Sequence, residues 1–204
     1  MTFPLRWRVL IIVSLLLFMV TTVRGILVDR IAGVVDGEII NYSDVQIERL
    51  FGLSEGGDRE ILQGLIDRRL LLREAEKFKI TDNEEDTQKI QQRLQDIKGL
   101  LGEEPFHNVL KEYSLTESDI LKMLKDKIIT EKFIDFRINF FVVISNDVIK
   151  AYYNEHKDEF GDRTLEEASS QIKGRLFQIE SKRRSEDYLS QLRKKAKISV
   201  NIGH

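Results

Sequence analysis

Apolar and polar positions follow two rhythms along this chain, one of period two at its ends and one of helical period between them. Near the start, Ile31 to Val35 and Glu38 to Ile40 flank Asp36-Gly37. An Asp-Gly pair between β-branched runs predicts a hairpin with a two-residue type I′ turn. At the far end, Lys197-Ile198-Ser199-Val200-Asn201-Ile202 alternates strictly and predicts one strand. A lone hairpin is marginal in water, so this strand is the expected third partner and the two ends meet in one small sheet.

Between the ends, apolar residues recur every three or four positions. Ser43-Asp44-Val45-Gln46 reads as a capping box opening a short helix that ends near Gly52. A helix from Asp58 to about Lys79 carries Ile61, Leu62, Leu65, Ile66, Leu70, Leu72, Ala75 and Phe78. Thr81-Asp82-Asn83-Glu84 is a second box, followed by the narrow stripe Ile90, Leu94, Ile97 and Leu101 of an outer helix that Gly102 and Pro105 end. Phe106, Val109, Leu110 and Tyr113 mark a short one-faced helix, and Thr116 caps a long one from about Glu117 to Phe140. Ser145 caps a helix that stops near Phe160-Gly161. Thr164-Leu165-Glu166-Glu167 is a third box, opening a helix of some thirty residues that ends at Ala196. The fold class is therefore mainly α: many helices and a small antiparallel sheet of N-terminal hairpin and C-terminal strand.

The first 25 residues are a different kind of segment. Arg6 and Arg8 precede an apolar run from Val9 to Val20, and Val23 and Gly25 fit a cleavage site. This three-part pattern is that of a secretory signal peptide. The apolar run is shorter than the roughly 20 residues that span a bilayer. An uncleaved anchor is the alternative, because Arg24 makes the cleavage site imperfect. Either way the rest of the chain is expected to be exported, as one domain over 26–204: hairpin and helices over 26–160, closing helix and strand over 164–202.

Removing residues 1–25 takes away three arginines and no acid, so the formal charge moves from −2 to −5. That balance argues against a nucleic-acid partner. The chain has no cysteine, which excludes thiol catalysis and thiolate metal sites. Its three histidines, His107, His156 and His204, are far apart, and no nucleophile elbow, phosphate loop or zinc-protease helix is present. No cofactor is expected. Glu84, Glu85 and Asp86 crowd a helix start, where the dipole accounts for them. Lys182-Arg183-Arg184 and Arg193-Lys194-Lys195 read as solvated helix faces.

Several stretches carry a family resemblance. VDRIAGVVDGEIINYSDV, LQGLIDRRLLLREAEKFKIT and YSLTESDILKML resemble, in that order, the N-terminal chaperone domain of SurA-type periplasmic folding factors. VISNDVIKAYYNEHKDEF is similar to the stretch preceding the parvulin prolyl-isomerase domain of that family, and LEEASSQIKGRLFQIESKRRSEDYLSQLRKKAKISV to the segment following it. Only Gly161-Asp162-Arg163 lies where the parvulin domain would be inserted. The resemblance thus implies a chaperone without its catalyst: an exported, periplasmic, ATP-independent protein that is not an enzyme. Its partners would be unfolded polypeptides, by resemblance outer-membrane β-barrel precursors, with no stable membrane insertion once the signal is cleaved. Two other readings stand beside it, a peptidyl-prolyl isomerase, and a module for one dedicated partner or for a homodimer made by exchange of the terminal helix and strand.

The apolar excess supplies candidate client-binding residues. Phe133, Phe136, Phe140 and Phe141 cluster at the end of one predicted helix, with Val142, Val143 and Ile144 following. They are either a core joint or the lining of an apolar groove. Tyr113 and Met123 would add adaptable contacts.

Overall fold

Asp36 and Gly37 both take positive φ, 49° and 90°, as a type I′ turn demands. A computed structural model describes residues 29–202 of the chain. The turn joins β1 (Ile31–Val35) to β2 (Glu38–Asn41), and β3 (Ile198–Val200) pairs antiparallel with the other edge of β1, giving the order β2-β1-β3. The register sets Val34 opposite both Ile39 and Ser199. Gly33 is needed for close approach, since a β-carbon there would stand 3.1 Å from the Ser199 carbonyl oxygen and 3.3 Å from Leu62. The turn is clasped from outside: the Asp36 carboxylate accepts from the Lys197 N–H at 2.6 Å and from Arg73. The Lys197 N–H bond, with help from Arg73, holds that carboxyl below its ordinary value. The predicted closure of the sheet by the C-terminal strand is therefore observed.

Among the described residues eight α-helices follow the hairpin: α1 (Tyr42–Leu50), α2 (Asp58–Lys77), α3 (Glu84–Leu101), α4 (Glu103–Glu112), α5 (Glu117–Arg137), α6 (Asn146–Glu155), α7 (Lys157–Phe160) and α8 (Leu165–Lys195). Thr116 and Thr164 cap α5 and α8 as expected, and the Thr164 N–H donates to the Glu167 carboxylate at 2.7 Å. Two caps sit two residues from their predicted places. Asn41, not Ser43, begins α1, and its N–H donates to Asp44 at 2.8 Å. Ser43 instead binds Asp29 through its side chain. Asn83, not Thr81, begins α3, with reciprocal 2.9 Å bonds to Asp86. In both cases an Asn-x-x-Asp pair does the work expected of the box beside it, but on N–H groups two residues away. Two helix ends also differ. α5 stops at Arg137 rather than Phe140, and Asn139–Phe141 forms a 3₁₀ turn. The helix expected to run to Phe160 breaks at His156, leaving α7 as a single turn.

Packing divides the described residues into a body and an appendage. In the body, Ile47, Phe51, Ile90, Leu94, Phe106, Leu110, Ile120 and Leu124 join α1, α3, α4 and α5. Ala32, Val35, Ile40, Val45, Ile61, Leu62 and Ile66 join the sheet to α1 and α2. Leu71, Ala75 and Phe133 join α2 and α5 to the C-terminal half of α8. The appendage is smaller: Ile149, Phe160, Ala168 and Ile172 hold α6, α7 and the N-terminal half of α8 together. No helix among the described residues is long and apolar enough to cross a membrane. The predicted signal segment, residues 1–25, and His204 lie outside the described residues.

Candidate functional site at an aromatic joint

Body and appendage meet where α5 ends. Phe133, on the last full turns of α5, is completely buried against α2 and Tyr188 of α8, with a ring separation of 5.9 Å from Tyr188. Of the client-binding candidates it is the one that lies in the core, because α8 covers it. Phe136, nearly a turn later, is half exposed and leans on Phe78 at 5.7 Å. The 3₁₀ turn then presents Phe140, 79% exposed, and Phe141, 56% exposed, packed edge to face at 5.2 Å. Val142 turns inward and Val143 outward.

Polar contacts fix this aromatic segment to α8. The Ser181 hydroxyl donates to Asn139, whose amide donates to Asp135 at 2.6 Å, and Arg184 donates to the Phe141 carbonyl at 3.0 Å. Arg183 and Arg184 converge on Glu180 and draw its carboxyl down to about 2. A cleft of about 300 Å³ remains between the segment and α8, lined by Arg137, Ile138, Phe141, Arg184, Asp187 and Tyr188 among others. Chemically the joint offers ring faces on a held backbone. Such a surface gains free energy by burying apolar area, and it carries no nucleophile–base pair.

Tyr113 and Met123 lie elsewhere. Tyr113 ends α4 and packs half-buried on the body core. Met123 walls a polar cleft of about 210 Å³ between α1, α2 and α5. Below that cleft sits Glu48, fully buried, accepting two bonds from Arg68 at 2.5 and 2.9 Å and one from Ser54 at 2.5 Å. Burial opposes its charge, but Arg68 and Ser54 outweigh burial and hold the carboxyl below its ordinary value. Asp44 and Asp126 line the same cleft, and burial pushes both above the ordinary carboxylate value. The structure thus leaves Phe136, Phe140 and Phe141 half exposed or more within six residues at the end of α5, with Phe140 and Phe141 in ring contact, while Tyr113 and Met123 lie elsewhere and Phe133 is enclosed in the core.

Sequence reasoning missed Phe78 as a member of the joint and Glu48–Arg68 as a buried pair. For Glu48 a signal existed: it sits three residues after Val45 and three before Phe51, on the buried side of α1. Three of the six basic side chains in the α8 clusters are paired: Arg183 with Glu180 and Asp187, Arg184 with Glu180, and Arg193 with Asp67 and Glu186. His107 is exposed beside Glu103, and His156 stacks on Tyr152 at 4.1 Å. Among the described residues no group of three or more His, Asp or Glu is placed to hold a metal. Compared with known families and with curated proteins, the chain matches no family model and no curated protein.

Proposed function

We propose that this protein is an exported, ATP-independent holding chaperone of the SurA type, without an isomerase domain, acting on extended apolar segments of unfolded proteins in the periplasm. Outer-membrane β-barrel precursors are the client class that the sequence resemblance suggests. The observation that carries the reading is the concentration of Phe136, Phe140 and Phe141 at one joint, half to four-fifths exposed on a backbone pinned to α8. Single exposed apolar residues need no explanation, but several large aromatic rings within six residues form a patch of the kind that binds.

The magnitudes fit weak, reversible holding. The exposed parts of these three rings amount to roughly 400 Å², which corresponds to about 10 kcal/mol of gross burial. Association consumes about 4–15 kcal/mol of that order. Clients would therefore be released without fuel. Phe78, tilted against Phe136, extends the apolar surface on the α2 side.

Aggregation of an unfolded outer-membrane barrel, followed by light scattering, tests the reading. The protein should suppress it, and Phe140→Asp with Phe141→Asp should abolish suppression while changing stability by only about 0.5 kcal/mol. No suppression by the unmodified protein at several-fold excess would end the proposal. Acceleration of proline isomerisation in a test peptide would replace it with the enzyme reading.

A further inference from the structure

On another side of α5 lies a third concave surface. It is bounded by the loop after α1, the C-terminal half of α3 and the middle of α5, and encloses about 380 Å³. Its floor is apolar: Phe51, Leu53, Ile97 and Leu124 are all buried. One wall is Leu100, which at 87% is the most exposed large apolar side chain among the described residues. An exposed leucine alone means little. Here it continues a buried apolar floor out to solvent.

The pocket is built before anything enters it. Phe51 packs edge to face on Phe106 at 5.6 Å. Gly52 takes φ +61° and turns the chain, so that the Leu53 N–H reaches the Glu48 carbonyl at 2.8 Å. Lys127 donates to the Leu53 carbonyl and ties this loop to α5. A preformed wall spares the ordering penalty that a flexible one would add on binding. The rim carries Arg93 and Lys127 against Asp96 and Glu131, two charges of each sign, and Arg93 meets Glu131 only at 3.3 Å. A balanced rim whose charges are already partnered within the protein gives no preference for a charged ligand.

We infer that this pocket is a separate binding site for one large apolar side chain, of phenylalanine or leucine size, carried by an extended polypeptide. The inference rests on the chaperone reading for its ligand class. Size decides the occupant. A pocket near the lower end of the ligand-site range takes a side chain, not a helix. A stable dimer buries about 800 Å² on each partner, and Leu100 is the only exposed apolar residue on this rim, so a second copy is not held here. Lys127 and Phe136 are nine positions apart, two and a half helical turns, which places pocket and aromatic joint on opposite faces of α5.

Methyl NMR of the Leu-, Ile- and Val-labelled protein tests it. The probe is a blocked Gly-Ser-Gly-Phe-Gly-Ser-Gly peptide, with its alanine counterpart as control. The phenylalanine peptide should give saturable shifts at Leu53, Leu100 and Leu124 that the alanine peptide does not. Leu100→Asp should weaken the apparent affinity at least tenfold with the melting temperature unchanged, since that side chain is in solvent. Shifts confined to Ile138 and Val143 would overturn the pocket and leave the joint standing. Equal shifts from both peptides, or none, would overturn the pocket as well. In that case the aggregation assay decides separately whether the chaperone reading survives.

Discussion

The two halves of α8 serve different cores. Its C-terminal half lies against the body, where Tyr188, Leu189 and Leu192 pack on α2 and α5, and Arg193 forks onto Asp67 at 2.6 and 2.7 Å. Its N-terminal half belongs to the appendage and contributes Ala168 and Ile172. After Ile172 no residue of the helix is fully buried. The helix therefore crosses from one core to the other with polar contacts only, Ser181 to Asn139 and Arg184 to the Phe141 carbonyl, in place of buried side chains. The chain that crosses beside it, Ile138 to Ser145, fully buries only Ile138 and Val142. That is why Phe140, Phe141 and Val143 stand out there. The body, by contrast, encloses even a charge, Glu48, because three helices and a loop surround it.

The contrast can be broken first in the body. Arg68→Met should cost about 3–5 kcal/mol, because it leaves the Glu48 charge buried and unpaired. Urea denaturation measures this, and adding Glu48→Leu should recover most of the loss. A small loss from Arg68→Met alone would mean that water reaches Glu48. Next comes the appendage. Ile172→Ala should remove about 2–5 kcal/mol locally. Hydrogen exchange should quicken over 145–176 while α2 and α5 keep their protection. Equal loss of protection throughout would show that body and appendage unfold as one unit. Thr164→Ala should cost about 1 kcal/mol by removing the cap of α8, again read in the appendage.

The smallest effect is one of pH. Asp126 has a folded-state carboxyl raised by burial, so its ionisation works against folding. Its penalty is absent below the unfolded value of about 3.9 and complete once pH has risen past the folded value. Asp126→Asn should therefore stabilise the protein slightly at neutral pH, with the advantage shrinking as pH falls into the acidic range. Melting temperatures across that range check the sign, and a uniform offset would place the carboxylate in open solvent.

Much of this architecture is readable from local chemistry. Asp36-Gly37, Thr116, Thr164 and the long uninterrupted pattern of α8 each state their structure within a few residues. The displaced caps show the limit of such reading: Asn41 and Asn83 offer the same bond as neighbours two positions away, and only tertiary packing selects the register. The aromatic run shows a deeper limit. Periodicity marks Phe133, Phe136, Phe140 and Phe141 as equally apolar. Their fates separate because α8 returns some fifty residues later and covers Phe133 with Tyr188. The buried Glu48–Arg68 pair is equally non-local, spanning twenty positions.

The clasp between Asp36 and Lys197 joins residues 161 positions apart. A hairpin of two short strands does not persist well by itself in water, and contacts of such separation form late and slow the folding of a chain. The first structure that this polypeptide can draft is thus among the last it can finish. Until the C-terminal strand arrives, β1 keeps one edge open and offers any neighbouring strand the place that β3 will take.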